Sequence, residues 1–379
     1  MNRTMITAVL LACSALASVA HAQVERFRSQ KGEVTVETIA TGLVHPWGLA
    51  FLPDGRMLVT ERPGRLRIVN TDGSLSDPVD GVPKVYAEGQ GGLLDVAIDP
   101  AFADNALVYL SYAEELGNRA GTAVSRGVLR DGALHDVELL YRQEPKVPGG
   151  DIHFGSRLVF DGKGHLFITQ GERNQRIYAQ QLDKHQGKIV RIYANGLIPD
   201  DNPFTRTKGA LPEIWSYGHR NVQGAALHPT TGELWTHEHG PRGGDEINIA
   251  RAGRNYGWPV IGYGINYSGR PIPENEGTTR EDIETPIHVW DPSIAPSGMA
   301  FYTHDRFPAW KNNLFVGALA FQLLVRLELD GESVVAEERL LLDMNERIRD
   351  VRVGPDGYLY LLTDSARGTL LKVGLADEE

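Results

Sequence analysis

Residues 351–364 read VRVGPDGYLYLLTD: an apolar strand, a Pro-Asp-Gly turn and a second apolar strand. Asp-Gly is hairpin chemistry, since glycine accepts the positive φ of a tight turn, and the Val, Leu and Tyr flanks favour extended chain. The pattern, with a turn built on Asp-Gly or Pro, recurs as LAFLPDGRMLVTER at 49–62, VAIDPAFADNALVYLSY at 96–112 and LVFDGKGHLFITQGE at 158–172. It returns as AALHPTTGELWTHEHG at 225–240 and MAFYTHDRFPAWKNNLFVGAL at 299–319, which makes six copies. Each copy is read as the central hairpin of one blade, and six sheets set radially bury their faces against one another: an all-β, six-bladed β-propeller. The uneven spacing between copies is assigned to loop insertions on one face. Residues 34–40 and 369–373 are expected to pair and close the ring. No stretch carries a sustained amphipathic helix and no linker divides the chain, so residues 23–379 are read as one domain.

Residues 1–22 read as a secretory signal. Arg3 gives the positive start, Ile6 to Ala20 the apolar core, and Ala20-His21-Ala22 the small-x-small cleavage pattern, so the mature chain is expected to begin at Gln23. The apolar run is too short to span the ~30 Å of hydrocarbon in a bilayer, which points to a periplasmic or secreted protein without membrane insertion. The sole cysteine, Cys13, leaves with the signal, which excludes disulfides and thiolate chemistry from the mature chain. With 38 basic against 49 acidic residues and a net charge of −11, nucleic acid and anionic membrane surfaces are disfavoured as partners. The oligomeric state is left open.

The richest chemistry lies in residues 216–259, SYGHRNVQGAALHPTTGELWTHEHGPRGGDEINIARAGRNYGWP. Arg220 and Asn221 suit an anionic or carbonyl-bearing ligand. The carbonyls of Gly240 and Pro241, in a glycine-rich turn, and the carboxylate of Glu246 with the backbone carbonyl of Tyr256 are oxygen donors of the kind calcium prefers. Further candidates are Gln90, whose amide can both donate to and accept from a sugar hydroxyl, and His153, after the Gly149-Gly150 turn, as a general base. Asp151 is a candidate to orient the His153 ring, while Glu172 and Arg173 read as a local salt bridge. Arg347 and Arg349, two apart on a strand, project from one face and repel unless an anion lies between them; a polyanionic ligand or opposed carboxylates would serve.

The set GQGGLL, HFGSRL, YGHRN-x-QG, E-x-GP-x-x-x-DEIN, NYGWP, WDPSIAPSGMAFY and RIRDVRVGPDGYLYLLTD, in that order along the chain, resembles the soluble pyrroloquinoline quinone (PQQ)-dependent glucose and sorbosone dehydrogenases, closest to the aldose sugar dehydrogenase branch. The resemblance implies a six-bladed propeller that oxidises aldoses at the anomeric carbon and passes electrons to an external acceptor. It implies His153 as the base, Gln90 in contact with cofactor and sugar, Arg220 and Asn221 beside the quinone oxygens, and Arg347 and Arg349 on the cofactor carboxylates. It further implies Ser293 as a polar cofactor contact, Tyr267 as a wall of the pocket, one calcium ion at Gly240 and Pro241 and a second at Glu246 and Tyr256. The chain departs from the pattern at Ala320, where a cofactor-binding lysine is expected, at Ile152, which stands where a carboxylate precedes the base, and at His239, which replaces a glutamine. Two alternatives remain from the sequence: a calcium-dependent lactonase or esterase on the same architecture, and a non-catalytic sugar-binding propeller.

Overall fold

All six hairpins are present in the computed structural model, which describes residues 24–148 and 150–376. The signal at residues 1–22, with Cys13, and the positions Gln23 and Gly149 lie outside the described residues. Among the described residues no helix is long and apolar enough to cross a membrane. The one α-helical segment among the described residues, Phe102–Asn105, is a single turn inside the second hairpin.

Each hairpin forms the inner two strands of a separate antiparallel sheet, so it sits at the axial edge of its blade rather than in its middle. The inner strands are Pro46–Phe51, Leu93–Ile98, Gly155–Phe160, Val222–Leu227, Pro296–Phe301 and Ile348–Val353, and each touches the next around the ring. The ring closes as the terminal stretches predict: Gly32–Leu43 pairs with Gly368–Leu375, Val36 opposite Val373 and Ala40 opposite Leu370. One blade thus contains both ends of the described chain, which locks the circle by hydrogen bonds rather than by a covalent link. Between blades the side chains interlock; Tyr302, Trp310, Phe315, Leu324, Ile348 and Leu361 are all buried in one such seam. Full burial of a side chain of this size contributes about 1.5–3 kcal/mol.

Every inner strand breaks register with its partner near its start, between Pro46 and Leu49, Leu93 and Val96, Gly155 and Leu158, Val222 and Gly224, Pro296 and Met299, and Ile348 and Asp350. A bulge of this kind twists the strand and re-aims the residues within it. Here it turns polar side chains towards the axis. Arg157 meets Asp95 and Asp350 at 3.0 Å each, while Arg352 meets Asp95 at 2.8 Å and Asp350 at 3.0 Å. These alternating charges, drawn from three blades, plug the channel and divide it into two ends. At one end the outgoing parts of the inner strands line an apolar cavity of about 470 Å³ that includes Phe51, Phe160 and Phe301. The incoming ends line the other.

Candidate active site

The incoming ends of the inner strands and the loops before them enclose a cavity of about 330 Å³, within the range that holds small organic ligands. Trp47, Leu94, Phe154 and Leu319 form its apolar wall; Arg62, Gln90, Gln223, His239, Arg347, Arg349 and Asp364 are its polar groups. Tyr267 also lines it and is 75 % exposed, which places the ring at the mouth.

Arg347 and Arg349 converge as their spacing predicts, and a carboxylate lies between them. Asp364 accepts from Arg347 at 3.0 Å and from Arg349 at 3.1 Å, both through Oδ2, and Arg349 also donates to the Gln223 side-chain oxygen at 3.1 Å. Burial alone would raise the Asp364 pKa, but the Arg349 and Arg347 guanidiniums hold it far below the usual carboxylate range. Arg62 adds a third guanidinium whose charge acts on both Asp364 and Arg349. Three cations therefore face one anion. The Nε atoms of Arg62 and Arg349 are buried with no hydrogen-bond partner. Unmatched buried donors and excess positive charge are what a pocket for a carboxylated ligand requires.

His153 is 6 % exposed and held in a left-handed conformation, φ 57°. Its backbone N–H donates to the Gln90 side-chain oxygen at 2.7 Å. Its ring Nδ1 lies 2.6 Å from Glu172 Oε1. A carboxylate only accepts, so Nδ1 carries the proton and Nε2 keeps its lone pair. Burial pushes the ring pKa below the ordinary histidine value, opposed by Glu172 and reinforced by the positive charges of Arg220 and Arg173. The imidazole is thus neutral at neutral pH and its free nitrogen is a base.

Two sequence expectations are corrected here. The carboxylate that orients His153 is Glu172, not Asp151, which is exposed and meets the Gln90 N–H through its backbone oxygen. Nor do Glu172 and Arg173 form a salt bridge: Arg173 donates to the carbonyls of Gly150 and Ile152 and lies 3.5 Å over the Phe154 ring. The sequence carried one signal for this arrangement. A side chain at Gly171 would collide with the His153 carbonyl, so the glycine of Gln170-Gly171-Glu172 is what lets this strand end close on the histidine.

A sequence model for the glucose/sorbosone dehydrogenases matches residues 43–372. The chain belongs to this family. It is 54 % identical over 345 residues to the aldose sugar dehydrogenase YliI of Escherichia coli, covering 90 % of this chain and 92 % of that one. The apo-form crystal structure of the soluble aldose sugar dehydrogenase from Escherichia coli superposes with a TM-score of 0.88 at 53 % identity, covering 90 % of this chain and all of that one. The PQQ-bound form of an aldose sugar dehydrogenase from Streptomyces coelicolor superposes with a TM-score of 0.74 at 29 % identity, covering 91 % of this chain and 99 % of that one. The protein is therefore a sugar dehydrogenase of the oxidoreductase class, built as a six-bladed propeller.

Most of the remaining candidate residues of this sugar dehydrogenase fall around a second, smaller cavity, Asn221 and Ser293 excepted. Gly240, Pro241, Glu246 and Tyr256 all line it, together with Arg220 and Glu238. Its free volume of about 10 Å³ is close to the space of a single water-sized occupant. The sequence places these four residues at two separate ions; the fold gathers them at one cavity. Glu238 and Glu246 both reach the single Asn248 Nδ2, at 3.3 and 3.2 Å. Burial and the neighbouring Glu238 raise the Glu246 pKa well above the carboxylate norm. Glu238 is also engaged by the Arg220 N–H and by His219 Nδ1 at 2.8 Å, which leaves Glu246 as the carboxylate with the fewest donors, beside backbone carbonyls of the hard-oxygen kind. The Gly240 carbonyl is partly committed, accepting from Arg220 Nη1 at 2.6 Å.

Arg220 and Asn221 stand outside the larger cavity's lining. Arg220 is clamped by its contact with Gly240 and by a 3.0 Å bond to the His239 carbonyl, with Trp258 5.2 Å beneath the guanidinium and Nε buried and unpartnered. Asn221 Oδ1 accepts from the Gly155 N–H at 3.1 Å, two residues beyond His153. Ser293 lies beside Asp245, on whose carboxyl its hydroxyl acts, rather than in the cavity wall. His239 lines both cavities; its Nε2 donates to the Pro296 carbonyl at 2.6 Å, and burial lowers its pKa to about 3.

Proposed function

We propose that this sugar dehydrogenase oxidises aldoses at the anomeric carbon to lactones, with PQQ as redox cofactor and an external electron acceptor. One observation carries the reading: a histidine fixed in the tautomer that leaves Nε2 free is held by Gln90 and precedes Phe154 and Gly155. These three neighbours line a cavity in which three guanidiniums face one carboxylate, although His153 itself is outside the lining. When bound, the quinone supplies a carbonyl carbon that accepts a hydride. His153 Nε2 takes the proton from the anomeric hydroxyl, and Glu172 stabilises the imidazolium so formed. Gln90 holds the His153 backbone and offers its amide to cofactor and sugar. Arg347 and Arg349 hold ligand carboxylates, while the buried Arg220 favours negative charge in the region between the two cavities. Trp47 and Phe154 give flat apolar walls to a planar ring, and Tyr267 bounds the mouth. Calcium belongs to the same proposal, held by Gly240, Pro241, Glu246 and Tyr256. Asn221 is a positioning residue for the His153 segment, and Ser293, beside Asp245, is outside the cavity that would hold the cofactor.

The lactonase alternative needs channel carboxylates free to hold a metal, whereas Asp95 and Asp350 are both engaged by Arg157 and Arg352. Purified apo-protein given PQQ and calcium tests the reading. Dye reduction that depends on both sugar and cofactor, with several aldoses as substrates, is the expected result. Cofactor-independent hydrolysis of a lactone, or no turnover with any aldose, would overturn it.

A further inference from the structure

We propose that Arg62 is a cofactor-binding residue, supplying the cation that the strand around Ala320 lacks. The inference rests on the PQQ reading above. Ala320 is exposed beside Leu319, which lines the cavity, so no charge enters from that wall. Arg62 enters from the first blade, which adjoins the sixth blade that carries Arg347 and Arg349, and lines the same cavity. Its backbone is fixed between blades: its N–H donates to the His45 carbonyl at 3.0 Å and its carbonyl accepts from the Leu93 N–H at 3.1 Å. Its Nη1 donates to the Gly89 carbonyl at 2.6 Å, and its Nε is buried without a partner. One nitrogen of the guanidinium is therefore committed to the loop while the group keeps donor capacity that no protein acceptor takes.

The charges favour a ligand rather than an internal pairing. Asp364 is already shared by Arg347 and Arg349, and Arg62 makes no ion pair with any carboxylate among the described residues. A ligand with three carboxylates would supply the negative charge that three guanidiniums facing one aspartate lack. The Gly89 contact adds a second consequence. Gly89 precedes Gln90, whose side chain holds the His153 N–H, so Arg62 also braces the loop that positions the base.

Equilibrium dialysis of PQQ against calcium-loaded apo-protein separates the two roles, using wild type, Arg62→Gln and Arg62→Lys at low and high salt. Loss of a charged hydrogen bond predicts that Arg62→Gln raises Kd about 10- to 100-fold. Arg62→Lys retains most of the affinity, and the wild type shows the steeper salt dependence. Unchanged Kd in Arg62→Gln overturns the inference. So does an equal loss in both variants with unchanged salt dependence, which assigns Arg62 to loop bracing alone. If the wild type fails to bind, the cofactor assignment itself falls and this inference falls with it.

Discussion

Replacing Glu172 by Gln leaves the backbone link from its N–H to the Arg220 carbonyl intact and removes one charge, 2.6 Å from His153 Nδ1. In the wild type that carboxylate fixes the tautomer and stabilises the ring as it becomes positive. A hydrogen bond to a charged group of this kind contributes about 1.5–3 kcal/mol, which corresponds to about 10- to 100-fold in rate. The glutamine side chain can also turn its NH2 towards Nδ1, which would leave the proton on Nε2 and block the base. Steady-state kcat/KM with one aldose in the cofactor-loaded protein should fall by that factor while PQQ affinity stays unchanged. The pH profile gives the sign. Glu172 raises the His153 pKa against burial, so its loss moves the acidic limb of kcat/KM to lower pH. Activity within about threefold of wild type, smaller than the loss of one charged hydrogen bond, or an acidic limb moving upward would refute the tautomer argument.

Acid stability should follow His239. Its pKa is lowered to about 3 by burial, below the unfolded value of about 6.5, so its contribution is complete above about pH 6.5 and is lost as pH falls towards 3. Melting temperatures recorded across that range should decline with acidity, and a flat profile contradicts the assignment. In the channel plug, Arg157→Leu leaves Asp95 and Asp350 with Arg352 alone; breaking a buried network of this kind costs about 3–5 kcal/mol, read as a lowered denaturant midpoint. Chelating calcium should lower the melting temperature and re-addition should restore it, with both effects diminished in Glu246→Gln; equal sensitivity in that variant would place the ion elsewhere.

The blade count was legible because hairpin chemistry is local: a turn built on Asp-Gly or Pro stands between strand-forming residues at each inner hairpin, and residues 34–40 and 369–373 carry matching strand patterns. The bulges were not legible, since they depend on how each inner strand twists against its neighbours. Without them Asp95, Arg157 and Asp350 read as unrelated residues on three strands. At the site, His153, Gln90, Arg347 and Arg349 were visible from their flanking glycines and their spacing. Glu172 was misread as the partner of its neighbour Arg173, because it meets His153 across the open end of one hairpin, where Gly155 pairs with Gln170, and the bulge that sets this register is not written in the sequence. Asp364 ends the sixth hairpin repeat and Arg62 the first, so both passed as fold-forming residues. The smaller cavity shows the same limit in reverse. Residue types suited to calcium could be recognised, yet only the fold shows that Gly240, Pro241, Glu246 and Tyr256 share a cavity, with Glu238 beside them.

The central claim is that His153 removes the proton from a sugar held against a cofactor that other residues bind. A single-turnover measurement addresses it most directly: protein loaded with PQQ and calcium is mixed with excess aldose in the absence of any acceptor, and the cofactor absorbance is followed. Wild type should reduce its cofactor, whereas His153→Ala should bind PQQ with unchanged affinity and leave it oxidised. Reduction by His153→Ala at the wild-type rate would contradict the account.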